Sequence, residues 1–241
     1  MEPARYLQLL RADSDRLIQV ARDRLDPAVP SCPGWTLRDL VEHVAMVYAH
    51  KVTCMRELRQ PSPWPPEPPA ADPVDWLVRT RDELLAELEE RGPAAPSFTW
   101  FPPDQTVGFW YRRMAQETAV HRVDAEEAVG EHGPVPDDLA VDGVDEVLHV
   151  MVAGDWSEEP QPGRARQVRV AGGDRAWLVE LAPDEVTVTD EPAGAGPADL
   201  AAPPTQLLLW LWGRVPYEAV RPEGDADAVA ALRARLAIAT Q

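Results

Sequence analysis

The stretch Gln116-Glu117-Thr118-Ala119-Val120-His121 decides the architecture that this sequence predicts. Glu117 and His121 are four residues apart, so on an α-helix their side chains lie on one face, one turn apart. Trp110 and Met114 lie on the same stripe, which turns the stripe toward a core. Because a buried carboxylate needs a compensating partner, the stripe predicts a polar centre inside a helical bundle.

A second helix supplies a histidine that suits this centre. Thr36 is a good N-cap, and Asp39 follows it three residues later in the manner of a capping box, so a helix is predicted over residues 37–59. Its apolar face includes Leu40 and its neighbours at helical spacing, and His43 borders that face. We therefore expect His43 to point toward the bundle and not straight into water.

His43, Glu117 and His121 together form a candidate metal site. Two imidazoles and one carboxylate make a three-ligand site for a divalent ion with an open fourth position, which is the arrangement that catalytic zinc uses. Two simpler interpretations stay open from these residues alone. The Glu117–His121 pair can be a solvated i,i+4 pair, and His43 can be a satisfied core histidine.

Hydrophobic periodicity divides the chain into a helical part and a mixed part. Four helices with two long connectors favour a four-helix bundle; they are predicted over residues 4–25, 37–59, 74–91 and 107–128. The connectors are the proline-dense segment 60–73 and the loop 92–103. The pattern stays helical to about 154 and then predicts strands over 167–170, 176–181 and 186–189 and helices over 206–212 and 225–239. We predict an α+β protein with domains at 1–150 and 151–241.

The composition excludes several classes of partner. The 241 residues carry a formal net charge of −18, which argues against nucleic acid and against an anionic membrane surface. The longest apolar run, 207–212, is far too short to span a bilayer, and we expect no signal peptide. Cys32 and Cys54 form no CxxC pair, so a disulfide framework is not expected and the cytoplasm is the predicted compartment.

Two segments carry a family resemblance. The stretches Ser31-Cys32-Pro33-Gly34-Trp35-Thr36-Leu37-Arg38-Asp39-Leu40-Val41-Glu42-His43 and Arg112-Arg113-Met114-Ala115-Gln116-Glu117-Thr118-Ala119-Val120-His121-Arg122-Val123-Asp124 resemble signatures of the mycothiol-dependent maleylpyruvate isomerase family. The segment 199–214 resembles, more loosely, the signature of the family's second domain. The resemblance implies a DinB-like four-helix metal-binding domain followed by a small α+β domain that is similar to sterol carrier proteins.

The resemblance also implies a chemistry. Zinc or another divalent metal would be held by His43, Glu117 and His121, and mycothiol would supply the reactive thiol. Because the family is diverse, we rank a general mycothiol-dependent S-transferase or isomerase of a small electrophile above maleylpyruvate isomerase itself. The alternatives are a non-catalytic metal-binding module, a carrier of a small ligand and a hydrolase that uses zinc-bound water. Both a monomer and a homodimer stay open.

Other residues are candidates for supporting roles. Arg214 can pair with a substrate carboxylate as a catalytic residue, or it can cap a helix at the surface. Arg113 can hold Glu117 or bind an anionic part of the cofactor, or it can form a surface ion pair. Asp124 can orient an imidazole or pair with an arginine. His50 is seven residues after His43, about 10 Å along the helix, so we interpret it as a cleft or core residue.

Overall fold

Amphipathic helices form the first part of the chain, as the periodicity predicts. In the computed structural model, which describes residues 1–65, 69, 72–192, 194–220 and 222–240, α1 packs along α4, and α2 packs against both α3 and α4. Fully buried side chains such as Leu10, Tyr48, Leu84 and Trp110 fill the space between them. The bounds of these helices are α1 Pro3–Ala21, α2 Leu37–Glu57, α3 Pro73–Arg91 and α4 Val107–Ala128.

The predicted bounds agree with the structure except at the end of α1. That helix stops at Ala21, four residues before the predicted end, because Arg22 has a ψ of 121° and Asp23 a φ of 63°, neither of which continues an α-helix. Within the proline-dense connector, residues 66–68, 70 and 71 lie outside the described residues. None of the described helices combines the length and the apolar content that a membrane span requires.

The start of α2 is fixed by the predicted capping box. The backbone N–H of Asp39 donates to Thr36 Oγ1 at 3.4 Å, and the backbone N–H of Thr36 donates to Asp39 Oδ2 at 2.7 Å. At the first residue of the helix, the N–H of Leu37 donates to the carbonyl of Pro27 at 2.8 Å. Because these bonds satisfy the first donors of α2, they set the position from which His43 is counted.

The second part of the chain combines helices with a mainly antiparallel sheet. Helix α5, Asp137–Glu146, continues as a π-helical segment over Val147–Val152. The remaining bounds are β1 Gly154–Asp155, β2 Arg166–Gly172, β3 Arg175–Leu181, β4 Glu185–Glu191, β5 Leu200–Ala201, α6 Pro204–Leu211 and α7 Ala226–Ala239. The strand order is β1-β4-β3-β2-β5, in which β2 and β5 are parallel and the other pairs are antiparallel. The predicted fold class, a helical bundle followed by an α+β part, is confirmed.

The alternation of burial along the strands shows which face of the sheet carries the core. Val168, Val170, Trp177 and Val179 are fully buried, while Arg169 and Leu178, the residues between them along each strand, are partly exposed. By internal contacts the chain divides into Met1–Gly133 and Pro134–Gln241. This division lies before the sequence-based boundary at residue 150, because α5 packs against α6.

Removing the cap should weaken α2 without disturbing its interior. We expect Thr36→Ala to lower the free energy of opening of α2 by about 1 kcal/mol, since one helix donor loses its acceptor. Hydrogen exchange of peptides from residues 37–57, followed by mass spectrometry, measures this. Thr53→Ala is the control: its hydroxyl bonds only the carbonyl of Ala49 within the same helix. Equal protection in both variants would contradict the role of the cap.

Candidate metal centre

The bundle brings the three predicted ligands together. Glu117 Oε1 lies 3.3 Å from His43 Nε2 and 3.2 Å from His121 Nε2, and the three ligand atoms all lie within 4.8 Å of one another. Zinc binds such atoms at about 2.0–2.1 Å, so neighbouring ligands of a tetrahedral site lie about 3.3 Å apart. The two imidazole nitrogens and the carboxylate oxygen, and the distances of the two nitrogens from Glu117 Oε1, therefore suit a divalent ion such as zinc.

Glu117 is held as an oriented carboxylate. Burial raises the pKa of Glu117, but His121, His43 and Arg113 more than reverse this and hold the pKa well below its ordinary value. The Arg113 guanidinium, itself buried, donates to Glu117 Oε2 at 2.9 Å. Because Arg113 uses Oε2, the other oxygen, Oε1, is the one that faces both imidazoles.

His121 is oriented from behind by Asp124. His121 Nδ1 lies 2.9 Å from Asp124 Oδ2, and Asp124 is fully buried. The Ser31 hydroxyl donates to the other oxygen, Asp124 Oδ1, at 2.6 Å. With the Nδ1 hydrogen donated to Asp124, Nε2 is the nitrogen that faces Glu117 and His43, and it presents a lone pair there once the ring is neutral. Metal-binding histidines commonly have such a carboxylate on the second ring nitrogen.

Burial and charge act in opposite directions on His121. Burial lowers the pKa of His121, but the carboxylates of Glu117 and Asp124 outweigh it and raise the pKa to about 9. Without a metal, the imidazole therefore carries a proton at pH 7 and balances the buried carboxylates. A bound divalent cation can replace this charge, so protons and metal compete for the centre.

The centre is most open beside His43. The exposed fraction of the side chain is 34% for His43, 17% for Glu117 and 10% for His121. The Trp35 ring lies 5.1 Å from the His43 ring and covers part of that side. A ligand that completes the fourth position would therefore approach past His43 and Trp35.

The residues predicted to have supporting roles lie in different parts of the structure. Arg113 and Asp124 both contact ligand residues of the centre, as one interpretation of each predicts. Arg214 is in the second unit, where its Nη1 donates to the Trp212 carbonyl at 2.8 Å. Its role as a catalytic residue stays a prediction. Sequence reasoning missed Ser31, because its contact with Asp124 joins positions 93 residues apart and no local pattern marks it.

A second group of potential ligands lies in the second unit. Asp145, His149 and Asp190 offer ligand atoms within 4.8 Å of one another. Here, however, Arg175 Nη2 donates directly to Asp145 Oδ1 at 2.6 Å and to Asp190 Oδ1 at 2.8 Å. The carboxylate oxygens nearest to His149 are thus already compensated by a guanidinium, which makes this group a weaker candidate than the first.

The fold and the site together define a class of protein. A four-helix bundle that carries a His–Glu–His candidate centre precedes a five-stranded α+β domain in one chain. The family model described as the mycothiol maleylpyruvate isomerase N-terminal domain matches residues 7–126, and the model of the C-terminal domain of the same family matches residues 138–231. The chain belongs to the mycothiol-dependent maleylpyruvate isomerase family.

Solved structures show the same fold. Crystal structures of a histidine-to-alanine mutant of the mycothiol-dependent maleylpyruvate isomerase and of the unmutated enzyme are similar to this chain, with TM-scores of 0.58 and 0.55. Both are 15% identical to it; the first match covers 91% of this chain and 92% of that one, and the second covers 89% and 90%. At this identity the likeness shows the fold alone. Among curated proteins, none matches the chain significantly.

Zinc uptake should release a proton. Because the pKa of His121 is raised to about 9, its imidazole is protonated at pH 7 in the metal-free protein, whereas ligation needs the neutral form. We expect release of about one proton per zinc at pH 7, and an affinity that rises as the pH approaches 9. Calorimetric titration in two buffers of different ionisation enthalpy measures both. Zinc binding without proton release at pH 7 would contradict this electrostatic account.

Asp124 should support zinc binding through His121. We expect Asp124→Asn to weaken zinc affinity by about 10- to 100-fold, since the imidazole loses its charged partner. The matched control is Asp82→Asn on α3, whose carboxylate pairs with Arg81 at the surface. Competition against a chromogenic zinc chelator measures both variants. An unchanged affinity in Asp124→Asn would show that His121 needs no such partner.

Proposed function

We propose that this protein is a divalent-metal-dependent enzyme that uses mycothiol to isomerise a small electrophile or to add a thiol to it. The observation that carries the proposal is the pairing of an oriented ligand set with membership of this family. Arg113 directs Glu117, Asp124 directs His121, and the ligand atoms converge beside the partly exposed His43. A module that only stored metal would not need an open side next to its ligands.

The proposed ligands are His43 Nε2, Glu117 Oε1 and His121 Nε2, and zinc is the proposed metal. A bound divalent ion would lower the pKa of a coordinated thiol and polarise a substrate oxygen. The chain's own residues supply the orientation. Arg113 keeps one Glu117 oxygen away from the centre, and Asp124 keeps the Nε2 lone pair of His121 directed into it.

Two arginines are proposed to recognise the reactants. Arg113, which donates a hydrogen bond to Glu117, is proposed to contact the thiol cofactor beside the centre. Arg214 is proposed to pair with a carboxylate of the substrate, because a planar guanidinium binds a carboxylate through two parallel hydrogen bonds. The family membership supports a functional arginine in the second domain.

The two proposed reactions, isomerisation and thiol transfer, differ in their product. Mycothiol supplies a nucleophilic sulfur. Its addition to a conjugated double bond, rotation about the resulting single bond and elimination of the thiol give isomerisation, whereas addition without elimination gives transfer. In the first case thiol is not consumed, and in the second one thiol is consumed per electrophile. We place the reaction in the cytoplasm, where low-molecular-weight thiols stay reduced; Cys32 and Cys54 are both free thiols in the structure.

Metal content and turnover test this proposal together. We expect about one zinc per chain in the wild type, mycothiol-dependent turnover of at least one member of an electrophile panel that includes maleylpyruvate, and loss of both in His121→Ala. Arg214→Met should keep the zinc and raise KM by about tenfold or more, since one charged contact is lost. The control is Arg164→Met, in an exposed loop.

The outcomes separate the competing functions. A wild type that takes up no zinc would overturn the metal-dependent enzyme. Zinc uptake with turnover that is independent of mycothiol would favour a hydrolase that uses zinc-bound water. Zinc uptake with no turnover on any electrophile would favour a metal-binding module. Thiol titration during turnover then decides between isomerase and transferase.

A further inference from the structure

Lys51 is the only lysine in this protein. The chain has 23 basic residues, and the other 22 are arginines. Lys51 lies in the second half of α2, eight residues after His43, which corresponds to about 12 Å along the helix axis. Lysine differs from arginine in carrying a compact point charge on a flexible stem, so the contacts of this one lysine are of interest.

Lys51 extends between two tryptophan rings near the candidate metal centre. Its Nζ lies 5.0 Å from the ring centroid of Trp110 on α4 and 5.8 Å from that of Trp64. Trp110 precedes Glu117 by seven residues, two turns along α4. Burial lowers the pKa of Lys51, while the negative charge of Glu117 acts to raise it. The ammonium therefore lies within the electrostatic influence of the candidate metal centre.

The ammonium has no acidic partner in the described part of the chain. Its one polar contact there is His50 Nδ1, at 3.2 Å, and no described carboxylate lies within 4.0 Å of it. This is unusual in a protein of net charge −18, where most arginines find a carboxylate. A cation removed from water needs an anion or several acceptors, and aromatic faces replace only part of its hydration.

His50 contributes a buried donor without an acceptor among the described residues. Only 8% of His50 is exposed, and its Nε2 is buried with no hydrogen-bond partner among the described residues. Burial, together with the charge of Lys51, lowers the pKa of His50 to about 4, so the ring is neutral at pH 7. Since Nδ1 faces the Lys51 ammonium and the Cys54 thiol, it accepts, and Nε2 must carry the hydrogen.

We propose that Lys51, beside His50 and between Trp64 and Trp110, forms a subsite that binds a carboxylate of the small substrate. This inference rests on the proposed function and adds a second anionic contact to the substrate, besides the carboxylate proposed for Arg214, at a point removed from the metal ligands. The rings of Trp64 and Trp110 would exclude water from the ion pair and strengthen it. A local positive charge also overcomes the repulsion that the overall negative charge exerts on anions.

The single lysine makes the subsite directly observable. Protein grown with lysine labelled with ¹³C at Cε gives one side-chain signal, that of Lys51. Succinate is the probe, because it is a dicarboxylate without a reactive double bond, and succinamide is its uncharged counterpart. We expect succinate to shift the Lys51 signal in a saturable way and succinamide to leave it unmoved.

Variants assign the binding to the ammonium. The affinity of the variants for succinate is measured by calorimetric titration, because a substitution of Lys51 removes the labelled signal. Lys51→Met, which keeps the length of the stem, should weaken succinate binding by about tenfold or more, as expected for loss of a charge-assisted hydrogen bond. Lys51→Arg should retain most of the binding because it retains the charge. Arg38→Met is the matched control: it removes one positive charge from the exposed start of α2, where Arg38 pairs with Glu42.

The result is independent of the metal proposal. Titrations are run with zinc-free and zinc-loaded protein, so that succinate bound to zinc itself is recognised by its persistence in Lys51→Met. Zinc uptake with an unmoved Lys51 signal, or equal succinate affinities in the wild type and Lys51→Met, would overturn the subsite and leave the metal centre standing. A succinate-dependent Lys51 shift in a protein that takes up no zinc would support the subsite and reject the metal-dependent enzyme.

Discussion

The buried carboxylate of Glu117 is the constraint on which the rest of the bundle depends. It is compensated on one oxygen by Arg113 and approached on the other by the imidazoles of His43 and His121. Leaving a buried ionic group without one of its partners is unfavourable, so these contacts favour the packing of α2 against α4 at this level. The same contacts of Glu117 therefore compensate its charge and bring the three proposed ligands together.

The two clusters of potential ligands show that composition alone does not make a metal site. Each contains carboxylate and imidazole groups within one small region, and each has an arginine nearby. In the bundle, Arg113 takes the oxygen that faces away from the histidines. In the second domain, Arg175 takes the oxygens of Asp145 and Asp190 that face His149. The two candidates thus differ in which carboxylate oxygens the arginine binds: those that face away from the imidazoles in the stronger candidate, and those that face the imidazole in the weaker one.

Local patterns predicted most of the fold, and long-range packing decided the rest. The capping box at Thr36 and the i,i+4 spacing of Glu117 and His121 are short-range features, and the structure contains both helices. The contact of Ser31 with Asp124 spans 93 residues, so no periodicity reveals it. Likewise, Lys51 is conspicuous in the sequence as a lone lysine, but only the packing of α2 shows that two tryptophans surround it. Packing of α5 against α6, and not a change of periodicity, sets the division between the two units.

Anomalous diffraction at the zinc absorption edge, from crystals of the zinc-loaded protein, tests the central claim most directly. The account predicts one strong peak at bonding distance from His43, Glu117 and His121, with Arg113 still on the outer oxygen of Glu117. A peak only at Asp145, His149 and Asp190, or no peak in fully zinc-exposed crystals, would contradict it. In that case the buried charges of the bundle would be a structural ion network, and the metal-dependent chemistry proposed for it would be wrong.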